Sequence, residues 1–331
     1  MIITRTPFRI SFFGGGTDYP VWYRENGGIV LNASINKYSF ISLRHLPPFF
    51  DFKHRIRYYQ HEEVHSIDEI KHPSVRHCAA YVGVEKGVDI VHNADLPARS
   101  GLGSSSSFTV GLLNAFFALQ NKMIAKRDLA LKTLHVEQDL IGETVGSQDQ
   151  VAAAFGGLNI TRFGGQTEIE VDPVILPAGR LAEFQDHLLL CFTGFARTAS
   201  DVAKAQVANT KNKAADLRQM MDIANHAVEQ LTDEKTPLDE FGKLLNEQWR
   251  IKRNLSSMIT TPAIDAIYEA GMEAGAIGGK LLGAGSGGFI LFFAKPEYHD
   301  QIKAKIGNKR FVPFRFDYTG SKVVYYSQEE F

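Results

Sequence analysis

The chain has 331 residues, 44% of them hydrophobic and 22% charged, with 36 basic and 37 acidic side chains and a net charge of -1. This is the composition of a soluble globular protein, too long for one ordinary core, so two domains are expected. The balanced charge argues against nucleic-acid or membrane partners, and no run of about 18 apolar residues offers a membrane span.

The N-terminal text MIITRTPFRISFF reads as a strand, with an apolar run too short for a signal peptide. Strands are expected at Ile2–Thr6, Ile29–Asn32 and Tyr38–Leu43, with a glycine loop at 14–16 and a further strand at Val88–His92. Phe108–Leu119 is apolar enough for a helix buried on most sides, and a second helix is expected over Arg127–Gly142. The two-proline text VDPVILPAG places a domain boundary, giving domains 1–182 and 183–331. A strand at His187–Thr193 opens the second domain. Helices are expected at about 201–231, 238–256 and 262–275, then a glycine-rich stretch and two short strands. Strands and helices in mixed order argue for α+β rather than a doubly wound sheet. The phenylalanine-rich run FFDFKHRIRYY, residues 49 to 59, reads as a flap or an interface. Cys78 and Cys191 are far apart and form neither a metal nor a redox motif, which suggests a reducing cytoplasm.

Three glycine-containing stretches carry chemistry. In LPARSGLGSSSSFTVGLL, Gly101 and Gly103 permit a tight turn, and a helix starting near Ser104 offers free N–H groups and a positive dipole end. With the serine hydroxyls this makes a phosphate cradle over Gly101, Leu102, Gly103, Ser104, Ser105 and Ser106; a single cap would need one serine. In RTPFRISFFGGGTDYP, a strand delivers Arg9, suited to an anion, and a loop delivers Asp18, suited to sugar hydroxyls or to an Asx-type turn. In KLLGAGSGGFILFF the glycines suit close packing against another segment, or a turn beside a strand. Two other phosphate loops fail. AGAIGGKL lacks the first glycine and the Ser/Thr of a Walker A loop, and Gly283, Gly285 and Gly288 precede a strand rather than open a helix.

In this order the three stretches resemble the three motifs of the GHMP kinases. The resemblance implies a two-domain α+β fold, with an N-terminal domain like ribosomal protein S5 domain 2 and a ferredoxin-like C-terminal domain. It implies ATP and magnesium. Carried over residue by residue, it gives Ser105 and Glu137 as magnesium ligands, Asp149 as the catalytic base, and Arg9 as a catalytic cation. It makes Gly15, Gly16, Thr17 and Asp18 sugar-side residues, with Gly283 and Gly285 in the substrate-side glycine loop. On spacing alone, Glu137 would read more readily as a solvated acid, and Asp149 as a loop residue hydrogen-bonded to its own backbone.

Where galactokinases carry GEHTDY, this chain carries GGGTDY. Gly15 thus removes a carboxylate and Gly16 a histidine, which favours a larger, anionic sugar. The wording FFGGGTDYPVWY, PARSGLGSSSSF and TGFARTAS is most similar to the heptose 7-phosphate kinase branch, which phosphorylates a sugar phosphate at its anomeric hydroxyl. Arg197, with Arg99 as a second choice, is the expected phosphate anchor. The alternatives are an anomeric kinase for free fucose or galactose, or a non-catalytic sugar sensor. A sensor would damage the serine loop, Glu137 or Asp149, and all are intact. A homodimer is compatible with the sequence.

Overall fold

The computed structural model describes residues 1–164, 168–194 and 199–328. It opens with β1 (Ile2–Phe13), a glycine loop, α1 (Pro20–Asn26) and β2 (Gly28–His45). Next come β3 (His54–Arg57), β4 (His61–Val64), α2 (Pro73–Val82) and β5 (Val88–Ala94). The phosphate-loop region leads into α3 (Ser104–Leu119), α4 (Lys126–Leu134), a π-helical turn at His135–Leu140 and α5 (Gln148–Phe155). Strands β6 (Leu158–Gly164) and β7 (Glu168–Pro173) precede α6 (Ala178–Asp186) and β8 (Leu188–Phe192). Four helices then run in series: α7 (Ala199–Asn209), α8 (Ala214–Thr232), α9 (Leu238–Arg253) and α10 (Pro262–Glu273). The chain finishes with β9 (Gly278–Leu281), β10 (Phe289–Phe293), α11 (His299–Ile306), β11 (Arg310–Phe311) and β12 (Lys322–Tyr326).

Two sheets organise these elements. The first has eight strands along β12-β1-β2-β5-β3-β4, with β6 and β7 branching from β2; the second is antiparallel, in the order β11-β8-β10-β9. Strand β2 is 18 residues long because it serves two neighbours: Ser39–His45 pairs β5, whereas Gly28–Ala33 pairs β6. The burial of β1 changes along its length for the same reason. Its first residues alternate between buried and half-buried, while every residue from Arg9 to Phe13 is buried. A strand covered on one face alternates, and one covered on both reads as a continuous apolar run. The second face of β1 is covered by the C-terminal half: Phe8, Ile10, Phe12 and Phe13 share one core with Phe184, Leu190, Phe241 and Phe293.

The expected cut at residue 182 does not partition the chain. Strand β12 pairs antiparallel with β1, so the last strand returns to the first sheet. The helix expected over 127–142 stops at Leu134 and widens into the π-helical turn, and the one expected over 201–231 is interrupted by a 3-10 turn at Thr210–Lys213. Most of the 49–59 run belongs to β3 and its flanks. Arg55 there lies opposite Asp89, at the end of β5 remote from the phosphate loop. Among the described residues, no helix is long and apolar enough to cross a membrane.

Phe241 ties the halves together. Its ring meets Phe12 at 5.7 Å, Phe13 at 5.0 Å and Phe184 at 4.8 Å, each edge-on. Phe241→Ala is expected to cost about 3–5 kcal/mol, as large-to-small core changes do. Because this core contains residues of both halves, denaturant unfolding followed by fluorescence and by circular dichroism should still give one coincident transition.

Candidate active site

The phosphate loop joins β5 to α3. Arg99, Gly101 and Gly103 all have positive φ, at 59°, 79° and 75°, so the backbone coils tightly just before the helix. At Gly101 there is no space for a side chain: a Cβ would stand 2.5 Å from the Leu282 carbonyl oxygen. Helix α3 is 16 residues long and begins at Ser104, so its free N–H groups and positive dipole end face out of this turn. Three of the four serine side chains are hydrogen-bonded and one is exposed. Ser104 Oγ accepts from the Arg99 N–H at 3.1 Å, Ser105 is exposed, Ser106 Oγ donates to Glu137 Oε2 at 2.9 Å, and Ser107 Oγ donates to the Pro7 carbonyl at 2.8 Å.

Of the serines beside the expected ligand Ser105, it is Ser106 whose hydroxyl meets Glu137. Successive helix positions differ by about 100° in direction, and it is Ser106 that turns towards the acid. Glu137 sits in the π-helical turn, 1% exposed. Its Oε2 also accepts from Gln150 Nε2, while Oε1 is buried and closes no hydrogen bond of good geometry among the described residues, although the Thr109 hydroxyl lies close enough to favour the charged carboxylate. Burial, with help from the Glu143 charge, pushes its carboxyl up to about 7. A buried carboxylate with an orphaned oxygen beside a hydroxyl fits a hard divalent cation such as magnesium. That ion takes one or two protein oxygens and completes its shell with phosphate and water. Among the described residues, no group of three acidic, histidine or cysteine side chains could hold a metal alone.

Arg9 and Asp149 meet across the mouth of the loop. Arg9 Nε and Nη2 donate to Asp149 Oδ1 and Oδ2, both at 2.7 Å, and Nη1 donates to the Gly101 carbonyl at 2.7 Å. The Arg9 backbone N–H reaches the Leu102 carbonyl at 3.0 Å. Asp149 lies in the first turn of α5, and its side chain is 24% exposed against 5% for Arg9. The pair is thus a bidentate fork with its carboxylate side open to a ligand.

The sugar-side motif is turned inward. Thr17 is fully buried, and its hydroxyl is taken up by the Gly14 and Ile29 carbonyls at 2.8 and 3.0 Å. Asp18 is 1% exposed and accepts from the Gly16 N–H at 2.9 Å and from Gln148 Nε2 at 3.0 Å. Burial raises its carboxyl above the usual range, partly offset by these hydrogen bonds. Both side chains hold the loop to its neighbours. Gly16 leaves no free room either, since a Cβ there would meet Gln206 Nε2 at 2.7 Å; at Gly15 it would meet Gln148 and Ser11 at an ordinary 3.6 Å. Gly283 and Gly285 likewise serve close packing. A Cβ on Gly283 would stand 2.6 Å from Gly101 Cα, and one on Gly285 would stand 2.7 Å from the Ile259 carbonyl oxygen. Arg197 lies outside the described residues.

Two lysines beside this site carry no motif. Lys252, 5% exposed, donates to the Gly283 carbonyl at 2.6 Å; Lys280, 1% exposed, donates to the Phe12 carbonyl at 2.9 Å. Burial and then the Arg9 charge push Lys252 down to about 8, and burial drives Lys280 well below the ordinary lysine range. Helical phase held the signal for Lys252: it falls on the buried stripe of Phe241, Leu245 and Trp249, not with its basic neighbours.

Comparison with known proteins gives the family. The profile for the GHMP kinases N terminal domain matches residues 70–157, and that for the GHMP kinases C terminal region matches 224–312. D-glycero-alpha-D-manno-heptose 7-phosphate kinase of Campylobacter jejuni is 30% identical over 319 residues, 92% of each chain. The chain belongs to the GHMP kinase family. As a member it is an ATP-dependent phosphotransferase acting on an alcohol group. A bifunctional fucokinase/GDP-fucose pyrophosphorylase of Arabidopsis thaliana is 27% identical over 90% of this kinase, which spans 30% of that longer protein. Among solved structures, a D-glycero-D-manno-heptose 1-phosphate kinase from Bacteroides thetaiotaomicron superposes with a TM-score of 0.81 at 23% identity, covering 99% and 100% of the two chains. A mevalonate kinase structure superposes with a TM-score of 0.71 at 17% identity. These two likenesses establish the shared fold.

The exposure of Ser105 and the pairing of Ser106 give a direct test. Ser106→Ala is expected to raise the magnesium concentration for half-maximal rate by roughly tenfold or more, the scale for lost metal-site contacts. Ser105→Ala should leave it near wild type. A larger effect at Ser105 would return the metal role to that residue.

Proposed function

We propose that this kinase phosphorylates the anomeric hydroxyl of D-glycero-D-manno-heptose 7-phosphate to give the 1,7-bisphosphate, in the supply of GDP-heptose for surface glycans. The observation that carries the reading is the end-to-end match to the Campylobacter enzyme, 30% identical over 92% of both chains. The electrostatics support it. The Arg9 charge disfavours the charged forms of Lys252 and Lys280 nearby, so basic side chains of both halves converge beside Asp18 and Asp149, which suits an anionic acceptor. Gly15 adds no carboxylate to oppose it. The argument from Gly15 and Gly16 thus rests on absent charge rather than on added room.

In this reading the amides of Gly101–Ser106 and the α3 N-terminus hold the nucleotide phosphates. Ser106 and Glu137 would hold magnesium, which supplies charge neutralisation on those phosphates when bound. Asp149 orients the acceptor hydroxyl and receives its proton. Each carboxylate oxygen bonded to Arg9 keeps a further lone pair for that task. Arg9 fixes the plane of Asp149 and offsets negative charge at the transferring group. Phosphoryl transfer asks mainly for such positioning and charge compensation. A second reading, an anomeric kinase for free fucose, is supported by fucokinase relatives at 27% and 28% identity. The sensor reading is disfavoured because the Arg9–Asp149 and Ser106–Glu137 pairs are both formed.

The test is ADP release with ATP, magnesium and a panel of heptose 7-phosphate, mannose 6-phosphate, galactose, fucose and mevalonate, with the product read by phosphorus NMR. Turnover is expected with heptose 7-phosphate, with a new phosphate at the anomeric position. Turnover with a free sugar alone would overturn the substrate. In the same assay, Asp149→Asn should lower kcat by about 10²–10⁴-fold, the range for a lost general base, while ATP binding stays near wild type.

A further inference from the structure

Lys252 reaches the transfer site from the C-terminal half. It sits in the last turn of α9, where Arg250 and Lys252 precede Arg253. Arg253 turns outward to Asp265 at 3.2 Å, whereas Lys252 turns inward along the apolar stripe. A buried ammonium is costly unless it is paired. Among the described residues, its hydrogen-bond partner is the Gly283 carbonyl at 2.6 Å, and no carboxylate lies within ion-pair distance. Arg9 is placed in the same way, on the Gly101 carbonyl at 2.7 Å. The two glycine backbones touch, since a Cβ on Gly283 would stand 2.6 Å from Gly101 Cα. Two cations therefore hang from adjoining carbonyls at the edge of the phosphate loop. They oppose each other: after burial, the Arg9 charge is what most disfavours the charged form of Lys252, with Asp18 and Asp149 acting the other way. The charges of Lys252 and Arg9 also disfavour the charged form of the buried Lys280. Such an arrangement is relieved by an anion between the cations.

We propose that Lys252 is a second cation of the transfer site, engaging the oxygens of the phosphoryl group alongside Arg9 as that group passes from ATP to the acceptor hydroxyl. In that step the acceptor oxygen forms a bond to the γ-phosphorus. The bond from that phosphorus to the β–γ bridging oxygen breaks, ADP leaves with the electron pair, and the hydroxyl proton passes to Asp149. The three equatorial oxygens carry the charge throughout, and the Lys252 ammonium has two N–H groups beyond the one given to Gly283. The proposal rests on the kinase chemistry and on the site roles above, but not on the identity of the sugar.

The test uses the full chain without sugar. Binding of MgADP is measured by calorimetry with and without aluminium fluoride, which completes a mimic of the transferring group. Lys252→Gln keeps an N–H donor for the Gly283 carbonyl and removes the charge; Lys252→Arg keeps the charge. Lys252→Gln is expected to bind MgADP much as wild type does and to lose at least about tenfold of the added affinity for the aluminium fluoride complex, the scale of one charged hydrogen bond. Lys252→Arg should recover part of it. Wild-type affinity of Lys252→Gln for the complex, or an equal loss for MgADP alone, would overturn the proposal and leave Lys252 as a tie between α9 and the glycine loop. A wrong sugar would show only in the substrate panel, because no sugar enters this measurement.

Discussion

The active site depends on two backbones that touch. Gly101 of the phosphate loop and Gly283 of the C-terminal glycine loop approach so closely that a Cβ on either would overlap the other segment. Everything around them takes its position from that contact. Arg9 hangs from the Gly101 carbonyl and Lys252 from the Gly283 carbonyl, and Gly288 packs against the Ser100 carbonyl one residue earlier. The glycines of the third motif thus act by letting one half of the chain seat against the other. Their chemistry is that of absent side chains.

The core behind the site has the same plan. Strand β1 delivers Arg9 on its way to the sugar-side loop, and its phenylalanines Phe8, Phe12 and Phe13 lie in a core built largely from the C-terminal half. Strand β12 then returns to the free edge of β1, with Met1 N donating to the Ser327 carbonyl at 2.6 Å. The halves are joined by a shared core and a shared sheet. Motion of one against the other would have to break aromatic contacts as well as polar ones, which is costly in a close-packed interior.

Much of this was legible in the sequence. The three glycine stretches, the apolar helix after the serines, the strand at 88–92 and the mixed α+β order were all readable from periodicity and turn chemistry. The remainder was decided by tertiary context. Composition does not tell whether Thr17 and Asp18 face a ligand or their own loop, since both uses call for the same polar atoms. The family resemblance pointed to Ser105 as the metal serine, and nothing in the sequence marked the neighbouring Ser106 as the one hydrogen-bonded to Glu137. Lys252 was hidden because basic residues in a last helical turn ordinarily face water and complement the dipole. The return of β12 to the first sheet has no local signal, because strand pairing at that separation is set by the whole fold.

The π-helical turn that carries Glu137 makes its contact with Ser106 sensitive to chain length. Such a turn amounts to one extra residue accommodated within a helix, so the aim of the Glu137 carboxylate is set by residue count as much as by side-chain packing. Each residue of an α-helix advances about 100° around the axis. Excising a single residue from His135–Leu140 would restore regular winding and rotate the downstream segment by about that angle against the upstream one. The orphaned oxygen would then no longer share a small volume with Ser106. A length polymorphism at this one point would break the Ser106–Glu137 hydrogen bond while leaving every motif letter intact.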